Sequence, residues 1–202
     1  MTTGGSGAPV RSPENGASPA SRLNALLLER SVRRGQFTLA SGRQSAYYID
    51  ARRTTMSGEG QCIIGHLGLG LLERRGWHPA AVGGLTLGAD PVAYAIAAAA
   101  HRAGLAIDAF TVRKQAKDHG TGGRIEGCFP AGQPVVVIED VITTGQSALE
   151  AIHVVEAQGG RVLGVLAVVD RGEGGRLALE RAGYAVEAMV SANELGLVAD
   201  AG

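Results

Sequence analysis

Two adjacent acids, Glu139 and Asp140, interrupt an apolar run in the stretch VVVIEDVITTGQS, residues 135–147. Val135 to Ile138 are aliphatic without a break, and unpaired acids are costly to bury. The carboxylates are therefore expected at the carboxyl edge of a strand over 134–139. Val141, Ile142, Thr143, Thr144, Gly145, Gln146 and Ser147 then lead into a helix that runs on through Ala148, Ile152 and Val155. Free backbone N–H groups at such a helix start, with the helix dipole behind them, bind a phosphate without any lysine. The dipole alone contributes about 0.3–1 kcal/mol, so several N–H and hydroxyl bonds must supply the rest. Gly145 lets the backbone approach a ligand closely. Neither a GxxxxGK[ST] loop nor a GxGxxG fingerprint is present, which sets aside the two commonest nucleotide loops. Acids beside a phosphate cradle suit a ligand with hydroxyls near its phosphate, as in a ribose 5-phosphate. The competing account is an ordinary strand-to-helix turn, with Asp140 as a cap and Thr143 as a turn residue.

A second segment, RKQAKDHGTGGR at 113–124, sets Arg113, Lys114, Lys117 and Arg124 against Asp118, a local charge of +3 before His119 is counted. The whole chain has nineteen basic and nineteen acidic residues, so the charge here is concentrated. With Gly120, Gly122 and Gly123 and no apolar anchor beyond Ala116, the segment is expected to be mobile without a ligand. Ordering about ten residues costs on the order of 10 kcal/mol. A multiply charged anion offsets that, at up to about 4 kcal/mol for each close pair before desolvation. Negative charge building on a departing pyrophosphate needs such stabilisation, and the segment reads as a lid. A solvated surface loop is the plainer account of a charge run, weakened here by the acid motif that accompanies it.

VVVIEDVITTGQS closely resembles the diphosphoribosyl-binding motif of the type I phosphoribosyltransferases. RKQAKDHGTGG is similar to the RKxxKDHGxGG stretch of the orotate phosphoribosyltransferases, and FTLASGRQS at 37–45 to their FxLxSGxxS stretch. Arg171, directly after VVD, matches an arginine with which that family holds orotate. The likeness covers residues 35–195 or so. It implies transfer of a phosphoribosyl group from 5-phosphoribosyl 1-diphosphate to orotate, for pyrimidine (UMP) synthesis. By the same resemblance Glu139 and Asp140 hold the ribose hydroxyls, and residues 141–147 bind the 5-phosphate. Arg113, Lys114, Lys117 and His119 reach the pyrophosphate of a neighbouring subunit in a homodimer, with Lys117 the main catalytic contact. Thr143 and Arg171 face the base. Magnesium (Mg2+) is implied as the cofactor, held by the diphosphate and water. A guanidinium suits orotate chemically, because its paired donors match a carboxylate or imide. Rival readings are a phosphoribosyltransferase for another base and a non-catalytic regulator of the same fold.

Two positions depart from the family. Ala40 and Leu87 stand where some members have lysine; Arg43 lies near enough to Ala40 to replace one charge, and nothing obvious replaces the other. GGLTLGADP still suits a pyrophosphate loop, since Gly83, Gly84 and Gly88 precede a helix start.

These residues need a scaffold. Residues 1–18, rich in Gly, Ser, Pro and Thr, are expected to be a disordered tail. Residues 19–202 are expected to form a single domain. A helix capped by Ser21 should run to Val32, followed by strands at 36–40 and 46–50 in a small hood over 19–55. Helices are then expected at 58–75, 89–103, 146–158 and 176–182, alternating with strands at 80–83, 107–112, 134–139, 161–170 and 185–190. The polar stretch 113–127, the mobile loop, has no apolar period. Aliphatic strands without alternation indicate a mainly parallel sheet covered on both faces, a doubly wound α/β fold.

The bulk properties narrow the class. At 202 residues the chain suits one domain with a full core. A formal charge of zero offers no global attraction to nucleic acid or membrane. Cys62 and Cys128 share no metal or disulfide spacing. The apolar run 91–100 is about half the roughly 20 residues a bilayer requires, and no signal-peptide pattern opens the chain. A soluble cytoplasmic protein is expected. His66, His78, His101 and His153 lack metal spacing and read as structural; His119 is the exception.

Overall fold

The computed structural model describes residues 17–38, 42, 44–115 and 123–197. The expected tail lies outside them up to residue 16, as do Leu39, Ala40, Arg43, Lys117 and His119.

The chain begins with α1 (Pro19–Leu26), a π-helical turn (Leu27–Ser31), and the hairpin β1 (Val32–Thr38) and β2 (Gln44–Ile49). Ser18, not Ser21, caps α1: its hydroxyl accepts from Ser21 N–H at 3.2 Å, with Pro19 at the first helical position. Ser18 thus belongs to the helix cap and not to the tail. Leu23, Leu26 and Leu27 are fully buried, as their spacing predicts. The helix does not reach Val32, which pairs with Ile49 in the hairpin instead. The buried Ser31 hydroxyl lies 2.7 Å from Thr54 Oγ1, and Ser31 C=O accepts from Asp50 N–H, so tertiary bonds turn the chain into β1.

Next come the short helix α2 (Arg52–Thr55), α3 (Gly58–Arg74), β3 (Ala81–Leu85), α4 (Ala89–Arg102), β4 (Asp108–Val112) and β5 (Ile125–Gly127). They are followed by β6 (Pro134–Ile142), α5 (Gln146–Ala157), β7 (Arg161–Asp170), α6 (Gly175–Arg181) and β8 (Val186–Ser191). The main sheet has the order β5-β4-β3-β6-β7-β8. Its pairings are parallel except β4 with β5 at one edge. The α/β class expected from the strand composition is the class observed.

Burial on both faces explains the unbroken aliphatic runs. Val135, Val136, Val137 and Ile138 are all fully buried. Val136 and Ile138 join the core with α3 and α4, while Val135 and Val137 face Ala151, Ile152 and Val155 of α5. Small residues let α3 and α4 approach closely, for a Cβ on Gly65 would lie 2.5 Å from Ala95 C=O.

Three expectations change. β6 runs past the acids to Ile142, pairing Glu139 with Ala167 and Ile142 with Asp170. The long neighbour β7 offers ladder partners beyond the apolar run, so pairing outlasts hydrophobicity. β5 was not foreseen in the polar stretch; it pairs Ile125 with Val112, and that pairing closes a hairpin. α2 also lacked a periodic signal, being one turn long.

Candidate active site

β3 connects through α4 to β4 on one side, while β6 lies on its other side. The strand order therefore diverges between β3 and β6, and the crevice at their carboxyl ends is where open α/β sheets take ligands. A cavity of about 600 Å3 opens there.

β6 delivers the acids. Glu139 is 8% exposed and sits within the ladder, contrary to the expectation of an edge position. Burial, and then the adjacent Asp140 carboxylate, hold the Glu139 carboxyl well above its ordinary pKa. Asp140 is half-buried and its Oδ1 accepts from Val141 N–H at 2.9 Å. Across the crevice is Gly88, in the loop after β3; a Cβ there would lie 2.5 Å from Asp140 Oδ1.

The phosphate-type loop is shaped by two glycines. Gly145 adopts φ +81°, which a side chain rarely allows, and caps α5. Gly175 N–H donates to Thr143 C=O at 2.9 Å, and a Cβ on Gly175 would come within 2.4 Å of that oxygen. α6 thus braces the turn from behind. Val141, Thr143, Thr144 and Ser147 line the cavity, whereas Gly145 and Gln146 do not and Ile142 is buried in the core.

Arg171 joins the core to the hood. It is 4% exposed, its Nη2 donates to Ser45 Oγ at 3.2 Å, and its guanidinium carbon lies 4.6 Å from the Tyr47 ring centre. Glu173 Oε1 stands 2.8 Å from Arg171 Nε, a charge contact in which the Nε–H is not aligned as a hydrogen-bond donor. Arg171 and Glu173 both line the cavity. Phe37 does not; it packs against Tyr48 with ring centres 5.8 Å apart.

Lys114 lines the same cavity, while Arg113 faces an adjoining hollow and pairs with Glu126 at 3.3 Å. Arg113 N–H donates to Arg124 C=O at 2.7 Å, and Arg124 Nε donates to Arg113 C=O at 2.8 Å. Arg124 also pairs with Glu150 of α5. The roots of the basic segment are thus a clamped hairpin; Lys117 and His119 lie outside the described residues.

Several lining residues went unread in the sequence. Asp50 and Arg52 form a pair of 2.8 Å at the hood's edge, a hydrogen bond that raises the arginine pKa, with a smaller contribution from Asp140. Asp50 ends the alternating pattern of β2, but Arg52 and Glu173 stand in no motif. Leu87, a departure from the family, lines the cavity with its side chain exposed.

A doubly wound sheet with acids, phosphate turn and hood gathered at its switch point defines the type I phosphoribosyltransferases. No protein-family model matches the chain. The orotate phosphoribosyltransferase of Rhodopirellula baltica is 41% identical over 179 residues, covering 87% of this chain and 93% of its own. That of Mycobacterium tuberculosis is 47% identical over 175 residues, covering 87% of this chain and 95% of its own. The crystal structure of the M. tuberculosis enzyme in complex with 5-phospho-alpha-D-ribosyl 1-diphosphate has a TM-score of 0.76 at 43% identity, covering 89% of this chain and 100% of that one. The chain belongs to the orotate phosphoribosyltransferase family.

Proposed function

We propose that the chain joins orotate to 5-phosphoribosyl 1-diphosphate, releasing diphosphate and forming orotidine 5′-phosphate for UMP synthesis. One observation carries this reading: the Glu139–Asp140 pair faces the Gly88 loop in a cavity whose far wall is the anchored Arg171. A ribose fits between a diphosphate at Gly88 and a 5-phosphate at the α5 start. Its base then falls beneath the hood, near Thr143 and Arg171.

The bond from the anomeric carbon to the diphosphate oxygen breaks ahead of attack, and its electron pair leaves with diphosphate. Positive charge spreads over the ribose ring, where Asp140 and Glu139 hold the hydroxyls and Asp140 favours that charge. Orotate's ring nitrogen attacks as an anion, so no dedicated general base is required. Lys114, which lines its own chain's cavity, meets the charge on the diphosphate there, while Lys117, with Arg113 and His119, meets it from the neighbouring subunit; for Arg113 this means exchanging Glu126 for the ligand.

Magnesium would be held mainly by the diphosphate and by water, since a hard ion keeps its water and needs few protein ligands, and among the described residues no group of three or more His, Cys, Asp or Glu is placed to hold a metal ion. When bound, magnesium neutralises the leaving group. The working unit in this reading is one domain over 19–202, with a hood at 19–55 and a lid at 113–127. It acts as a cytoplasmic homodimer in which each lid completes the neighbouring site, without nucleic acid or membrane. Chain neutrality supports that last point, and no described helix is long and apolar enough to cross a membrane.

The test is the loss of orotate absorbance with the ribosyl donor and magnesium. Orotate should be consumed in preference to uracil and the purines. Turnover of another base with orotate untouched overturns the reading.

A further inference from the structure

Asp90 lies behind the crevice, in the first turn of α4, and is 8% exposed. It does not line the cavity, yet each of its oxygens takes a hydroxyl from an element that does or that leads to one. Thr86 Oγ1, from the loop that continues to Gly88, donates to Asp90 Oδ2 at 2.6 Å. Thr111 Oγ1, on β4, donates to Asp90 Oδ1 at 2.9 Å. Thr111 has a single hydroxyl hydrogen, so the Tyr94 hydroxyl 3.1 Å away must donate to it and extend the chain of bonds. A backbone bond runs parallel, from Thr86 N–H to Val112 C=O at 2.8 Å.

A carboxylate only accepts, so both threonine hydroxyls are turned toward it. Its charge at the start of α4 is favoured by the helix dipole. The two tethered elements have separate jobs in the proposed reaction: the 86–88 loop faces Asp140, and β4 leads directly to Arg113 and Lys114 at the hairpin root. Loosening either hydroxyl would let Lys114 and the Gly88 loop drift apart while leaving the α5 turn and Arg171 as they are.

We infer that Asp90 is a positioning residue that ties the Gly88 loop to β4 and so holds Lys114 in register with the diphosphate subsite. The inference rests on the proposed placement of diphosphate at Gly88.

The test uses the full chain with Asp90→Asn, Thr111→Val and Thr111→Ser. The readout is the affinity for 5-phosphoribosyl 1-diphosphate and for orotidine 5′-phosphate, by calorimetric titration, with thermal melting as a check on folding. Asp90→Asn and Thr111→Val should each weaken donor binding about tenfold, the scale of one lost buried hydrogen bond. Orotidine 5′-phosphate, which has no diphosphate, should move by less than about twofold by the same reasoning. Thr111→Ser keeps the hydroxyl and should recover most of the loss. The double variant Asp90→Asn with Thr111→Val should fall short of the product of the single effects. Equal weakening of both ligands, unchanged donor affinity in a folded variant, or failure of serine to recover it overturns the inference. Donor titration needs no turnover, so a chain that binds the donor but spares orotate overturns the proposed reaction while these variants still decide the role of Asp90.

Discussion

Gly88 and Asp140 face each other across the crevice so closely that a Cβ on Gly88 would lie 2.5 Å from Asp140 Oδ1. Gly88 lies in the loop after β3 and Asp140 on β6, brought together because β3 and β6 are neighbours in the sheet. A contact below 3.0 Å forces the carboxylate to move. Gly88→Ala should therefore displace Asp140 from the ribose position and lower kcat/KM for the ribosyl donor at least about tenfold, or about 1.4 kcal/mol. The melting temperature should change little, since what must shift is the end of a half-buried side chain, at the cost of straining its bond from Val141 N–H. Parent-like kinetics in Gly88→Ala would show that the carboxylate position is not critical.

Asp140→Asn removes the negative charge and keeps the shape. Turnover should fall far more than donor affinity, because the charge matters most when the ribose ring is positive. Steady-state kinetics alongside direct donor titration separate the two, and unchanged turnover would sink the proposed chemistry.

Glu139 makes a separate prediction about stability. Burial and Asp140 raise its pKa in the folded chain, so the native state holds the proton more tightly than the unfolded chain does. The stability it contributes is fully present below the ordinary glutamate pKa and is lost as pH rises through the folded value. Glu139→Gln should flatten that decline and be more stable than the parent at alkaline pH, while losing activity. Denaturant midpoints measured from acid to alkaline pH check the sign, and a parent that gains stability across that range through this residue contradicts it.

Arg171→Lys keeps the charge and loses both the planar contact with Tyr47 and the Nη2 bond to Ser45. The Michaelis constant for orotate should rise on the order of tenfold with donor affinity nearly intact, and stability should drop by about 1–3 kcal/mol from the lost buried bonds. Parallel orotate kinetics and chemical denaturation measure the two effects. An equal loss for donor and orotate would place Arg171 outside the base subsite.

Lys117→Ala and Asp140→Asn subunits, each inactive, should regain activity when mixed if one subunit's lid completes the other's site. A mixture that stays inactive after subunit exchange refutes sharing between subunits.

Local chemistry was legible in the chain because it is carried by neighbours in sequence. An aliphatic run followed by two acids, small hydroxylic residues and a glycine announces its own strand, turn and helix, and residues 135–147 fold in that order. The same holds for the α/β class, since burial of both sheet faces leaves unbroken Val and Leu runs. Element ends were less legible: α1 stops early and β6 runs long because Thr54 and β7, distant in sequence, supply the bonds. Only the tertiary structure set Gly88 against Asp140, buried Glu139, paired Arg171 with Glu173 and tied Thr86 to Thr111 through Asp90. Strand order in the sheet decides such contacts, and it leaves no period in the sequence because it depends on which elements pack together and not on their spacing along the chain.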